Sequence, residues 1–190
     1  MKIVMIHGNG GGVGDDVWKP WLKAELEARG HMVLSPTFPD NYEAKASVWL
    51  PYLRDELNVD EDVVLIGHSS GAVAAMRYAE KYRVRGSFLI GACYTDLDDP
   101  DERISGYYDT PWQWEKIRSN QQFIVLLASS DDPWIPIHQP RHIARSLQCE
   151  YHEYTDKGHF IPHESANENK WKKFPELLQI ITNHIADKSL

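Results

Sequence analysis

The feature that most restricts the fold of this 190-residue chain is a Gly-x-Ser-x-Gly sequence at residues 67–71. It directly follows an apolar run at residues 63–66 and directly precedes a segment of helical character, residues 72–82. A strand that reverses into a helix so abruptly needs glycines where the backbone doubles back, and it strains the residue between them. The pattern therefore predicts that Ser69 projects from a sharp strand-to-helix turn.

Short apolar runs alternate with helix-like segments along the chain, which is typical of β-α-β units around a parallel sheet. We predict strands at residues 3–6, 32–34, 63–66, 88–90, 123–127 and 151–154. Helical spacing of apolar residues predicts helices at residues 17–28, 43–57, 72–82 and 171–185, with Pro51 kinking or dividing the second. We expect one α/β domain over residues 1–190, with a mainly parallel, doubly wound sheet of about six strands.

Residues 94–120 interrupt this alternation, because they are rich in acidic residues, Tyr and Trp and lack a long apolar face. We interpret them as an elaborated crossover between the fourth and fifth strands. A connection of this length is uncommon without a role of its own, so a rim or lid over a site is one interpretation. A solvated excursion is the alternative.

Charge and hydropathy disfavour several classes of partner. The chain has 20 Lys and Arg against 28 Asp and Glu, a formal net charge of −8, so we expect it to bind neither nucleic acid nor anionic membranes. The longest clear apolar run, residues 123–128, is far shorter than the roughly 18 residues of a membrane helix. No signal-type segment opens the chain, and Cys93 and Cys149 are its only cysteines, so we expect a cytoplasmic protein.

Two cofactor interpretations of the glycine-rich segment at residues 8–12 fail on spacing. A dinucleotide fingerprint that begins at Gly8 requires glycine where the chain has Val13, and no Gly-Lys-Ser/Thr follows for a phosphate-binding loop. His159 and His163 have the spacing of a helical pair of zinc ligands, but Pro162 between them disfavours the helix. We therefore expect neither a cofactor nor a metal.

A serine at such a turn is typical of nucleophilic hydrolases. The helix that follows begins with unpaired N–H groups, so the backbone N–H of Ser70 is a candidate donor to an oxyanion. A second donor is expected from the loop after the first strand, where the N–H groups of Asn9 and Gly10 are the candidates.

The serine hydroxyl needs a base to take its proton and an acid to orient that base. His159 lies in a loop just after the last predicted strand, which suits the base. Asp131 and Asp132 both follow the fifth strand, at the edge of the sheet where Ser69 should emerge. We favour Asp132, because two prolines stiffen the loop that aims it.

Further residues are expected around this serine. Trp134 is predicted to supply an apolar wall for substrate, and His68, beside the serine, is a candidate substrate contact. We interpret His7 and His68 as hydrogen-bonded neighbours rather than proton carriers. Five acidic residues follow the fourth strand at the same edge and are suited to attract a cationic group such as a free amine: Asp96, Asp98, Asp99, Asp101 and Glu102.

Taken together, these residues resemble the small serine hydrolases of the α/β-hydrolase fold typified by retinoblastoma-binding protein 9. The resemblance covers nearly the whole chain and is carried by residues 8–12, 47–51, 66–72, 75–80, 105–107, 111–117, 131–133 and 158–160. The Pro-Trp-Gln-Trp-Glu-Lys-Ile run at 111–117 is its most specific part. The resemblance implies a compact α/β-hydrolase fold with Ser69, Asp132 and His159 as catalytic residues.

The chain departs from that family at one motif. Binding to the retinoblastoma protein is attributed to a Leu-x-Cys-x-Glu motif, and here Val59 replaces the cysteine between Leu57 and Glu61. Without this central anchor we do not expect the chain to bind the retinoblastoma protein.

The sequence thus predicts a serine hydrolase that cleaves a small ester or amide, such as an amino-acid ester or a short peptide, through an acyl-enzyme. The alternative is a non-catalytic interaction module on the same scaffold, because a fold does not fix a function.

Overall fold

A parallel sheet of six strands lies at the centre of the computed structural model, which describes residues 1–163 and 171–186. The strands are β1 (Lys2–Ile6), β2 (Met32–Leu34), β3 (Val64–His68), β4 (Gly86–Ile90), β5 (Phe123–Ser129) and β6 (Glu150–Tyr154). Their order in the sheet is β2-β1-β3-β4-β5-β6, and every neighbouring pair is parallel. The predicted α/β fold with a doubly wound sheet is confirmed.

Seven α-helices are described, and they cover both faces of the sheet. They are α1 (Lys19–Glu27), α2 (Ala46–Pro51), α3 (Ser70–Ala79), α4 (Pro100–Ile104), α5 (Trp114–Ser119), α6 (His138–Leu147) and α7 (Pro175–Ile185). Within the described ranges, no helix has the length and apolar character needed to cross a membrane.

The period of two along each strand divides the core into two layers. In β1, Val4 and Ile6 pack with the helices α2, α3, α5 and α6 on one face. Ile3 and Met5 point to the opposite face, where α1 and α7 cover them. Both faces of the sheet are thus buried, as expected for parallel strands connected by helices.

Pro51 changes the helix that contains it. The proline ends α2, and a π-helical turn, Tyr52–Glu56, continues the chain. The N–H of Leu57 donates to the carbonyl of Tyr52 at 3.0 Å, five residues back, instead of the four of an α-helix. A proline within a helix has no N–H to donate and crowds the preceding turn, which accounts for the predicted interruption.

Several elements differ from the sequence-based prediction. The helix α6 was not predicted, because most of its residues are polar and only two aliphatic side chains, Ile143 and Leu147, are buried. The last helix begins at Pro175 rather than at residue 171, since proline favours the first turn of a helix. Part of the chain before this helix, residues 164–170, lies outside the described residues.

The crossover at residues 94–120 contains the short helices α4 and α5 and is anchored to α3 by Arg77. Its buried guanidinium pairs with Glu80 at 2.8 Å and donates to the carbonyls of Tyr107 at 2.7 Å and Thr110 at 2.6 Å. The same group stacks over the Trp112 ring at 3.6 Å. Planar guanidinium groups suit such simultaneous contacts, so the crossover is held against the domain and is not a solvated excursion.

We predict that Arg77→Leu lowers the free energy of unfolding by about 3–5 kcal/mol, because it leaves the Glu80 carboxylate buried without its cation. Urea denaturation followed by tryptophan fluorescence measures the change. The control is Arg83→Leu, which replaces an exposed arginine. Equal midpoints for the two variants would contradict the anchoring role.

Candidate active site

Ser69 occupies a strained turn between β3 and α3. Its φ of 56° and ψ of −124° lie in a region of backbone conformation that residues other than glycine rarely adopt. A β-carbon on Gly67 would lie 2.4 Å from the Gly71 carbonyl oxygen, and one on Gly71 would lie 2.4 Å from the carbonyl oxygen of Ile6. Because both positions exclude a side chain, the sequence can make this turn only with glycine there. The predicted strand-to-helix turn is confirmed.

A buried hydrogen bond joins the two other predicted residues. His159 Nδ1 lies 2.7 Å from Asp132 Oδ2, and both side chains are almost fully shielded from solvent. The other carboxylate oxygen accepts from the N–H groups of Trp134 at 2.9 Å and Ile135 at 3.0 Å. A carboxylate only accepts, so Nδ1 carries the proton and Nε2 is left as the acceptor.

Asp131, the alternative acid, makes different contacts. Its Oδ1 accepts from the Gly158 N–H at 2.9 Å and from the hydroxyl of Ser129. Asp131 therefore ties the loop that carries His159 to the end of β5, while Asp132 contacts the imidazole itself. Asp131 thus holds the backbone at Gly158, and Asp132 holds the His159 ring.

Ser69 and His159 line one cavity of about 520 Å³ at the carboxyl edge of the sheet. Two glycines make room for these residues. A β-carbon on Gly91 would lie 3.0 Å from the His159 ring, and one on Gly8 would lie 3.2 Å from the Ser69 β-carbon. The first part of the crossover, including Leu97 and the residues of α4 that face inward, forms another wall of the cavity, as the rim interpretation predicts.

The loop after β1 runs along the same cavity. The N–H of Gly10 donates to the carbonyl of Tyr42 at 3.0 Å, and the N–H of Gly12 donates to the carbonyl of Asn9 at 3.2 Å. The bond to Tyr42 engages the N–H of Gly10, so this group is not available to an oxyanion. The prediction of Gly10 as an oxyanion donor is corrected. Asn9 stays the candidate from this loop, with Ser70 at the start of α3 as the other.

His7 and His68 are both buried and hydrogen-bonded. The Nε2–H of His68 donates to the carbonyl of His159 at 2.8 Å. The Nδ1–H of His7 donates to the carbonyl of Gly8 at 2.7 Å, and its Nε2 accepts from the N–H of Phe38 at 2.8 Å. These rings therefore brace the loops around Ser69. His68 also lines the cavity, so its contact with substrate stays a prediction.

Trp134 stands at the mouth of the cavity with 47% of its surface exposed. Its ring meets the rings of His159 and His163 edge to face, with centroid distances of 5.1 and 4.8 Å. The indole shields one side of the imidazole from water.

Two residues of the site were not singled out from the sequence. Lys19 is buried beside the cavity and pairs with Asp16, and burial lowers the pKa of this ammonium group. Glu102 was grouped with its acidic neighbours, but it alone among them is hydrogen-bonded to Asn9 in the described structure, at 2.7 Å. A lysine at a helix start and a glutamate in an acidic run carry no local signal of burial. Nowhere in residues 1–163 and 171–186 do three or more His, Cys, Asp or Glu side chains form a group suited to a metal ion.

We predict that acidification destabilises the fold through His7 and His68. Burial lowers the pKa of His7, and lowers that of His68 well below its ordinary value of 6.5. Below that value the unfolded chain takes up protons that the folded protein does not. The free energy of unfolding should then fall by up to about 1.4 kcal/mol per pH unit for each histidine, until the folded form is protonated as well.

Urea denaturation at pH 7, 6 and 5 measures this slope. The variant His68→Gln keeps an N–H donor for the His159 carbonyl but cannot titrate, so its slope should be shallower. His138→Gln, at an exposed position, is the control. An unchanged slope in His68→Gln would remove His68 from the explanation.

The sequence is similar to those of known serine hydrolases. A family model described as serine hydrolase matches residues 3–180. The chain is 44% identical to Serine hydrolase RBBP9 of Rattus norvegicus over 161 residues, which cover 84% of this chain and 87% of that protein.

Solved structures share the fold at lower identity. The ydeN gene product of B. subtilis superposes with a TM-score of 0.85 at 21% identity and covers 98% of this chain and 99% of its own. A meta-cleavage product hydrolase of Pseudomonas fluorescens IP01 reaches a TM-score of 0.67 at 16% identity, with coverage of 98% and 91%. The match over residues 3–180 and the identity to the rat protein show that this chain belongs to the serine hydrolase family that includes RBBP9.

Proposed function

We propose that the protein hydrolyses a small ester or amide, with Ser69 as nucleophile, His159 as general base and Asp132 as the acid that orients it. The observation that carries the proposal is the buried hydrogen bond between Asp132 and His159 at the cavity that Ser69 also lines. Such a pair is what an unactivated hydroxyl requires to become a nucleophile.

The proposed reaction has two halves. His159 Nε2 takes the Ser69 proton while Oγ bonds to the substrate carbonyl carbon, and the imidazolium then returns that proton to the leaving alcohol or amine. Water next attacks the acyl-enzyme, with His159 again taking a proton. The acid leaves and the proton returns to Ser69. Asp132 stays ionised throughout and stabilises each imidazolium.

Negative charge that develops on the carbonyl oxygen needs donors in both halves. In this proposal the backbone N–H groups of Asn9 and Ser70 supply them. Ser70 is the first residue of α3, so the positive end of the helix dipole adds to its donor. Each such donor is worth about 10²–10³ in kcat in comparable enzymes.

Ser69→Ala should lower kcat by about 10⁶, because it removes the atom that forms the acyl bond. Hydrolysis of a p-nitrophenyl ester measures turnover, and a fluorophosphonate probe reports the nucleophile directly. Ser119→Ala, which changes an exposed serine of α5, should label normally. Labelling of the Ser69→Ala variant would assign the nucleophile elsewhere. An unlabelled native protein that cleaves no ester would favour the non-catalytic interaction module.

The cavity supports a small substrate that carries a free amino group. Its volume of about 520 Å³ lies within the range of pockets that bind small ligands. Asp99, Asp101 and Glu102 line it, while its one buried cation, Lys19, is already paired with Asp16. The remaining carboxylates favour a positive substrate group, whereas Leu97, Ile161 and Trp134 supply apolar contacts.

An amino-acid ester with a free amine should therefore exceed its N-acetylated counterpart in kcat/KM by about two- to fivefold, since an ion pair with exposed carboxylates is worth about 0.2–1 kcal/mol. Asp101→Asn should reduce the ratio. Asp98→Asn is the matched control, because the Asp98 side chain is fully exposed and does not line the cavity. Equal rates for the two esters in the native protein would refute the preference.

The retinoblastoma protein is left out of the proposed partners. Leu57 and Val59 are 8% and 6% exposed and belong to the core, and the Val59 carbonyl accepts a hydrogen bond from Tyr78 at 2.7 Å. A partner that binds these side chains as a linear motif requires them at the surface, and here Leu57 and Val59 are buried.

A further inference from the structure

A chain of polar contacts connects the loop after β1 to the crossover. Asn9 Nδ2 donates to Glu102 Oε1 at 2.7 Å, and the Tyr108 hydroxyl donates to Glu102 Oε2 at 3.1 Å. The Tyr108 oxygen also lies 3.1 Å from the sulfur of Cys93, which follows β4. Glu102 thus connects the loop after β1 to the crossover, and Tyr108 extends this connection to Cys93.

The loop that Glu102 contacts has little rigidity of its own. Glycines occupy four of its five positions from 8 to 12, and Gly10 and Gly11 have φ values of 64° and 86°. On one side it is fixed by the backbone bonds to Tyr42 and Asn41. On the side of the crossover, the Asn9 amide is held by Glu102.

We propose that Glu102 is a positioning residue, which holds Asn9 so that its backbone N–H faces the oxyanion of the tetrahedral intermediate. The inference rests on the proposed hydrolase function and extends it to a residue outside the triad. Glu102 acts through the Asn9 side chain and need not touch the reacting atoms.

Burying a carboxyl group costs free energy, so the presence of Glu102 at this position supports a specific role for it. Burial raises the pKa of Glu102, and the hydrogen bonds from Asn9 and Tyr108 oppose part of that rise. A carboxyl that only filled space would be replaced at no loss by an apolar side chain of similar size. Reacting geometries are held by supporting hydrogen bonds of this kind, and a displaced donor loses most of its effect on the transition state.

Four variants test the inference with a neutral substrate, p-nitrophenyl acetate, so that the charge of Glu102 has no ammonium group to attract. Glu102→Ala and Asn9→Ala should each lower kcat by about 10- to 100-fold and leave KM within about twofold, because the lost contact acts in the transition state. The double variant should lose no more than either single one, since both changes break the same link. Glu102→Gln should stay within about threefold of the native kcat, because its amide oxygen still accepts from Asn9 and its N–H groups can donate to Tyr108.

Glu115→Ala, which removes an exposed glutamate of α5, is the control for a change in the crossover. Thermal melting checks that each variant is folded. If Glu102→Ala does not fold, the comparison of Asn9→Ala with Glu102→Gln decides the question, because only the first should lose kcat.

Additive losses in the double variant, or a native kcat in Glu102→Ala, would overturn the inference. The proposed function is unaffected by that result as long as the fluorophosphonate probe labels the native protein. A selective rise in KM would overturn it too, since that marks a substrate contact. If the native protein is neither labelled nor active on esters, the proposed function and this inference fail together.

Discussion

Close approach of three backbone segments at residues 67–71 is the constraint on which the site depends. Gly67 lies against the carbonyl of Gly71, and Gly71 lies against the carbonyl of Ile6, each too close for a β-carbon. The chain can pass from β3 to α3 at this separation only by holding Ser69 at a φ of 56°. The strain fixes the serine at the edge of the sheet with the start of a helix directly behind it.

The parallel sheet brings the remaining groups to the same edge. Since β1, β3, β5 and β6 run in one direction, the loops that follow them lie side by side at their carboxyl ends. Asn9, Ser69, Asp132 and His159 each lie in, or begin, such a loop. Asn9, Ser69 and His159, which are far apart along the chain, therefore line one cavity, and the buried bond between Asp132 and His159 becomes possible.

The crossover lies above the carboxyl edge of the sheet and forms one wall of the cavity. The Arg77 and Glu80 pair holds the crossover to α3, and the crossover brings Glu102 to Asn9. The solved structures at 21% and 16% identity share the sheet and its helices. Connecting segments of this kind commonly supply substrate contacts, because one scaffold serves many reactions.

Local patterns in the sequence determined much of this protein. Apolar runs and glycine spacing predicted six parallel strands and the turn at Ser69, since these depend on neighbours in sequence. The order of serine, aspartate and histidine after successive strands predicted the candidate pair Asp132 and His159. The sequence did not indicate α6, whose buried face is small, or the use of the Gly10 N–H by Tyr42, a contact between distant residues.

Only the tertiary structure shows that the two adjacent aspartates make different contacts. The prolines that follow Asp132 favoured it, but the two carboxyl groups have the same chemistry and are adjacent in the sequence, so Asp131 stayed an alternative. The pairing of β5 with β6 sets the distance between their following loops, and the N–H groups of Trp134 and Ile135 turn Asp132 toward the imidazole. The sequence specifies which side chains are present, but the direction of each side chain and the distance between the loops are set only when the strands pair.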